Sequence, residues 1–145
     1  MSIPATPPYL VDTSVWSRIA RRPDVAAAIT TRLAAGQALC TCPLVDLELL
    51  HSARGPAEYD AWAATRAQAY PSLPLTPAVG ERALAVQKQL AHSGRHRAAK
   101  LPDLLIAAIA ETAGAIVLHY DSDYDHIQAV TGQPTEWILA RGSID

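Results

Sequence analysis

At 145 residues the chain has the length of one domain, and half of its residues are hydrophobic against 18% charged, a balance that excludes a disordered polyelectrolyte. The formal net charge of −2 speaks against a uniformly basic nucleic-acid binder, yet without Asp12, Glu48, Asp103, Asp121 and Asp123 only nine acidic residues face twelve basic ones, a remainder of +3. The longest uncharged apolar run, Leu104 to Ala110, falls far short of the ~20 residues needed to cross a bilayer, so a cytoplasmic protein without a membrane partner is expected.

Residues 1–8 lack the basic and apolar regions of a signal peptide and suit a short extended arm at the start of a single domain spanning residues 1–145. Tyr9-Leu10-Val11 predicts a buried strand, followed by a helix carrying Val15, Trp16 and Ile19, with Thr13 or Ser14 as its N-cap. Pro23-Asp24 opens a second helix that Gly36 closes, and Ala38 to Thr41 predicts a second strand. Helices follow from Pro43 to about Ala53 and from Ala57 to Ala69, separated by Arg54-Gly55-Pro56. Leu73-Pro74-Leu75 predicts a short edge strand, because proline cannot donate to a ladder.

Pro77 starts a helix running through Val79, Leu84, Val86 and Leu90 to about His92, and Gly94 starts a basic loop. Pro102-Asp103 opens a strongly apolar helix that Gly114 ends. Ile116 to His119 predicts a strand, Asp121 to Asp125 a loop, His126 to Val130 a short helix and Thr135 to Leu139 a last strand. Strands alternating with helices imply an α/β fold with a parallel sheet covered on both faces, whose ligands bind beyond the carboxyl ends of the strands. Cys40 and Cys42, the only cysteines, are expected to be buried and reduced. Two strand residues apart lie about 6.6 Å from Cα to Cα, at the far limit for a disulfide.

The acidic residues carry the chemistry. Asp12 ends an apolar strand, on the same face as Leu10. Glu48 interrupts Leu44-Val45-Asp46-Leu47-Glu48-Leu49-Leu50 on the helix face of Val45 and Leu44, while Asp46 is expected on another side, facing solvent. Asp103 sits at a helix start, where it could cap, ligate or do both. Asp121, Asp123 and Asp125 alternate; the first two suit ligation, and Asp125, nearest the helix, suits capping. If these carboxylates converge, two charges ~5 Å apart at an effective dielectric of ~20 repel by roughly 3 kcal/mol. A hard divalent cation, magnesium or manganese, offsets such a cluster. Arg95, His96, Arg97 and Lys100 form a basic stretch just before Asp103, suited either to solvent or to a phosphate backbone.

Four segments in order resemble those of the PIN-domain nucleases, in particular the VapC-type toxins of bacterial toxin–antitoxin pairs. They are Val11-Asp12-Thr13-Ser14-Val15-Trp16, Leu47-Glu48-Leu49-Leu50, Pro102-Asp103-Leu104-Leu105-Ile106-Ala107-Ala108 and Leu118-His119-Tyr120-Asp121-Ser122-Asp123-Tyr124. The resemblance implies a three-layer α/β/α domain with a five-stranded parallel sheet. It implies Asp12 and Asp103 as core Mg2+ ligands (Mn2+ may substitute), with Glu48 and Asp121 completing the quartet and Asp121 counted among the ligands. It further implies that Asp123 helps to hold metal and that Ser14 supports the site by hydrogen bonding. Tyr124 stands where such toxins commonly carry phenylalanine, an exchange expected to leave the chemistry intact.

The implied activity is metal-dependent cleavage of RNA, with Arg95, Arg97 and Lys100 binding the nucleic acid. The implied partners are a cognate antitoxin and a second copy of the chain, as a homodimer or as a heterotetramer or larger assembly with antitoxin. Val15, Trp16, Ile19, Leu49, Leu50, Tyr59 and Trp62 are the expected wall of the antitoxin groove, except where they are plain core. A non-catalytic binding module would be expected to lose carboxylates that this chain keeps, and an aspartate-based phosphotransferase would need a second acid beside Asp12.

Overall fold

A computed structural model describes residues 6–144, so most of the arm expected over residues 1–8 lies outside the described residues. Four short strands form the sheet: β1 (Tyr9–Val11), β2 (Leu39–Cys40), β3 (Ile116–His119) and β4 (Thr135–Trp137). All pairings are parallel, in the order β2-β1-β3-β4, with Leu10 opposite Cys40 and Val117, and Val11 opposite Leu118. Because side chains alternate along a strand, Leu10 and Val117 face one core, while Tyr9, Val11 and Leu118 face another. Burial on both faces explains why the central strands carry no polar alternation.

One face is covered by α1 (Thr13–Ile19) and α2 (Pro23–Ala34), through Val15, Val25 and Ile29. The other is covered by α3 (Pro43–His51), α5 (Pro77–His92), α6 (Leu101–Ala113) and α7 (Asp123–Thr131), with α4 (Pro56–Ala69) packed on α3. The result is the three-layer α/β/α arrangement. Helix α6 buries Leu104, Ile106, Ala107, Ala108, Ile109 and Ala110, almost its full circumference, as befits a central helix. Gly114, at φ 70°, closes it in the left-handed conformation that glycine adopts without strain, and the chain turns directly into β3.

Several expectations are corrected. Among the described residues the sheet has four strands, not five: where Leu73 to Leu75 was expected to pair, only a parallel bridge joins Thr41 to Ser72. Thr41 N–H donates to Pro71 O at 2.9 Å and Leu73 N–H to Thr41 O at 2.8 Å, after which Pro74 has no N–H to continue the ladder. The N-cap of α1 is Asp12 itself, not Thr13 or Ser14. Helix α7 begins at Asp123, earlier than expected, and Asp125 lies within it rather than capping it. Leu84 is 68% exposed; the buried row of α5 runs instead through Val79, Ala83, Val86 and Leu90. Cys40 and Cys42 are buried and free, as expected. Among the described residues, no helix is long and apolar enough to cross a membrane.

Asp46 does not face solvent. Its Oδ1 accepts from Thr41 Oγ1 at 2.8 Å and from Arg66 Nε at 2.8 Å, and Arg66 Nη2 also donates to Thr41 Oγ1 at 3.0 Å. This charge-assisted knot fastens α3 to α4 and to the sheet edge. Asp46→Asn is expected to leave the chain folded and to lower its unfolding free energy by about 2 kcal/mol. Urea unfolding checks this, and an unchanged midpoint would show that solvent screens the knot.

Candidate active site

The site lies beyond the carboxyl ends of β1 and β3. Asp12 leaves β1 with its N–H donating to Leu118 O at 2.9 Å, so the β1–β3 ladder sets where its carboxylate begins. That carboxylate is buried, with Oδ2 accepting from Ser14 N–H at 3.0 Å and Oδ1 accepting from the Tyr124 hydroxyl at 2.7 Å. Ser14 Oγ in turn accepts from Tyr120 N–H at 2.9 Å, tying the first turn of α1 to the end of β3. Asp103, in the first turn of α6, is 3% exposed, and the Tyr124 hydroxyl is 3.4 Å from its Oδ1. A hydroxyl has one proton, and the shorter contact gives it to Asp12.

Asp121 and Asp123 complete the cluster, with Asp121 Oδ1 accepting from Asp123 N–H at 2.9 Å. One oxygen each from Asp103, Asp121 and Asp123 lies within 4.8 Å of the others. Asp12 stands behind this trio, joined to it through Tyr124. Glu48 shares its helix face with Val45 and Leu44 but is exposed at the rim, where its Oε1 accepts from Thr13 Oγ1 at 3.0 Å. Partial burial of its carboxyl raises its pKa, and the charge of Asp12 adds to that rise against the Thr13 hydrogen bond. Asp125 points away, accepting from Trp137 Nε1 and from Arg141 Nη1, each at 3.1 Å.

Lys100 was expected to hold nucleic acid, but its ammonium stands inside the acidic group. Nζ lies 2.9 Å from Asp121 Oδ2, 2.8 Å from Asp123 Oδ2 and 3.4 Å from Asp103 Oδ2. Its backbone N–H also donates to Asp123 Oδ2, at 2.9 Å. Arg95 and Arg97 are not brought to the carboxylates by any hydrogen bond or ion pair described, and Arg95 lines a separate cavity of about 450 Å³ with Lys88, His92 and Val130. Tyr124 is the functional candidate that sequence reasoning passed over. Where such toxins commonly carry phenylalanine, it brings a hydroxyl that sits between the two buried carboxylates and donates to Asp12. The hint was its place directly after Asp123.

Electrostatics separates the acids. Burial, then the charge of Asp12, pushes the Asp103 carboxyl up to about 8. Asp123, although partly buried, is pulled down to about 2 by its hydrogen bonds from Lys100. Burial would lower the Lys100 pKa, but Asp123 and Asp121 hold it well above the ordinary value, so the ammonium stays charged. Burial and the neighbouring carboxylates raise the Tyr124 pKa, keeping the phenol a donor.

Comparison with known proteins places this arrangement. Residues 9–130 match the PIN domain family. Ribonuclease VapC18 of Mycobacterium tuberculosis is 44% identical over 138 residues, covering 94% of this chain and 98% of that protein. The chain belongs to the PIN-domain family, among the VapC ribonucleases. Ribonuclease VapC51 of the same organism is 43% identical over 137 residues, covering 94% of this chain and 97% of its own. Among solved structures, VapBC-1 from nontypeable Haemophilus influenzae matches with a TM-score of 0.73 at 17% identity, covering 90% of this chain and 97% of that one, a likeness of fold.

The donor set fits a hard divalent cation. It is all oxygen, its members are close enough to share one ion, and Asp103 Oδ2 is buried without a hydrogen-bond partner. Lys100 is near enough for ion pairing but gives that oxygen no hydrogen bond, so it only partly offsets the orphaned lone pairs.

Two outcomes are expected. In the metal-free protein Asp103 binds its proton more tightly folded than unfolded. Its contribution to stability is therefore full below pH 3.8 and is lost as pH rises through about 8. Thermal melts in EDTA should show that decline for the native chain and a flatter profile for Asp103→Asn; parallel profiles would refute it. Tyr124→Phe should weaken Mn2+ binding by about tenfold or more, as loss of a donor to a ligand does. Calorimetric titration with Mn2+ measures this, and an unchanged affinity would mean the hydroxyl plays no part in orienting Asp12.

Proposed function

We propose that this chain is the ribonuclease toxin of a VapBC-type toxin–antitoxin pair, a cytoplasmic enzyme that hydrolyses RNA with Mg2+ or Mn2+. The observation that carries the reading is the meeting of Asp12, Asp103, Asp121 and Asp123, from three separate segments, beyond the carboxyl ends of parallel strands. These four residues are the proposed holders of the ion, with Glu48 at the rim completing the acidic set. A divalent ion so held lowers the pKa of water and offsets charge on phosphate oxygens. The chain's own contribution is positional: Ser14 and Tyr124 fix the two oxygens of Asp12, burial keeps water from solvating Asp103, and Lys100 balances the carboxylates while no divalent ion is held.

Purified protein is expected to cut single-stranded RNA with Mg2+ or Mn2+ and to stop on chelation. Asp103→Asn should lower the rate by at least about a hundredfold while the fold is retained. Undiminished cleavage in excess EDTA would sink the metal mechanism, and binding without cleavage would make the chain a binding module.

The antitoxin reading has its own support. Between α1, α2, α3 and α4 lies an apolar cavity of about 770 Å³ whose walls include Trp16, Ile19, Ile29, Leu49, Trp62 and Tyr70. Of the residues expected there, Val15 is fully buried core, Leu50 faces a neighbouring cavity beside Asp46 and Arg66, and Tyr59 is exposed on α4 outside the lining. The antitoxin's apolar segment is proposed to lie in this groove. A homodimer is proposed as well, supported by the outward-facing Leu47, Leu84 and Leu101. Trp62→Glu is expected to weaken the complex with the antitoxin encoded beside the toxin gene by at least tenfold while leaving RNA cleavage intact, as co-purification and cleavage assays would show. Undisturbed binding would place the antitoxin elsewhere.

A further inference from the structure

A second cleft, of about 430 Å³, adjoins the carboxylates and shares Ser14 and Asp121 with them. It sets two guanidinium groups, those of Arg18 and Arg141, beside that acidic edge. The Arg18 guanidinium lies over the Tyr120 ring, 5.0 Å from its centre, and Nη1 donates to Ser14 O at 2.6 Å. Across the cleft, the Arg141 guanidinium lies over Trp137 at 5.7 Å and pairs with Asp125 at 3.1 Å. Tyr120 and Trp137 themselves meet edge to face, 5.1 Å apart, so both cations rest on one rigid aromatic pair.

The outer wall is built into the fold. The Tyr120 hydroxyl donates to Ile144 O at 2.7 Å and accepts from Ile144 N–H at 3.0 Å, both bonds buried. This closed pair pins the C-terminal turn to the end of β3 and brings Arg141 over the cleft. The volume is within the range of small-ligand sites. With a guanidinium over each ring, the aromatic pair is better arranged to hold the cations than to stack on a base. What the cleft presents is two planar forks and the hydroxyls of Ser14 and Ser122, donors matched to phosphate oxygens.

We propose that this cleft is a subsite for the phosphodiester neighbouring the one that is cut, in single-stranded RNA. The proposal rests on the ribonuclease reading and deepens it. A cluster of carboxylates repels a polyanion, and two guanidinium forks directly beside it supply donors to phosphate where the strand must enter, with Arg141 able to turn from Asp125 to a phosphate. Neither arginine needs to be idle beforehand. The Arg141–Asp125 pair is exposed, and a phosphate is a second acceptor for the same planar fork.

The test uses a short single-stranded RNA bound to the non-cleaving Asp103→Asn chain, with affinity followed from low to high salt. Each phosphate contact to single-stranded nucleic acid adds about 0.7 to the slope of log affinity against log salt. Arg141→Ala, on a largely exposed side chain, should reduce that slope by about 0.7, and Arg141→Lys should restore most of it. In the cleaving chain, Arg141→Ala should raise KM several-fold with kcat little changed. Arg18→Ala should act in the same direction, but Arg141 alone decides if that variant fails to fold. Unchanged slope and KM in folded Arg141→Ala, with RNA still bound and cut by the parent chains, overturn the subsite alone. If the unsubstituted chain neither binds nor cuts RNA, the ribonuclease reading falls and takes the subsite with it.

Discussion

Mutual repulsion of carboxylates is the constraint around which this molecule is arranged. Asp12, Asp103, Asp121 and Asp123 are brought together where two parallel strands end, and two of them are almost fully buried. Left alone, such a group would drive its segments apart. Three devices hold it: the Lys100 ammonium among three of the acids, the Tyr124 hydroxyl donating to Asp12, and backbone donors to Asp12, Asp121 and Asp123. A divalent ion held by these oxygens would answer the same electrostatic demand that Lys100 answers.

The fold and the site are not separable layers. Asp12 is at once the last residue before the β1–β3 ladder gives way, the cap of α1 and a member of the acidic group. Ser14 and Tyr120 repeat the pattern: the first joins α1 to β3, and the second anchors the C-terminal turn. Rigid strands ending at one edge therefore specify positions for side chains that are distant in sequence, which is what a charged cluster needs if its members are to stay at fixed separations.

The sequence carried the layer architecture and most of the site because both depend on strong local signals. Short apolar runs between helical stretches locate the strands, and an aspartate directly after such a run lands at the sheet edge. What it hid depends on distance in space. Asp46 looked solvent-facing because helix phase says nothing of Arg66, twenty residues later, which turns toward it. The fifth strand looked possible until Pro71 and Pro74 bracketed it to a single bridge. Lys100 read as one more base in a basic loop, although its spacing of three from Asp103 already placed the two on neighbouring turns of one helix start. The Tyr124 hydroxyl was invisible because side-chain type fixes a donor but not its target.

The double duty of Asp12 bears on how such a chain can lose its activity. Asparagine caps a helix as well as aspartate does and keeps an oxygen for the Ser14 N–H and the Tyr124 hydroxyl, but it brings no charge. On the proposed reading, a single-step exchange at this position would disarm the chain while leaving its helix start, its sheet and the apolar groove between α1 and α4 in place. Such a copy would be a competitor: a partner seated in that groove would be drawn away from intact copies. Harmless descendants of this gene would then not be inert passengers, because each would take up partner that intact copies need for their restraint.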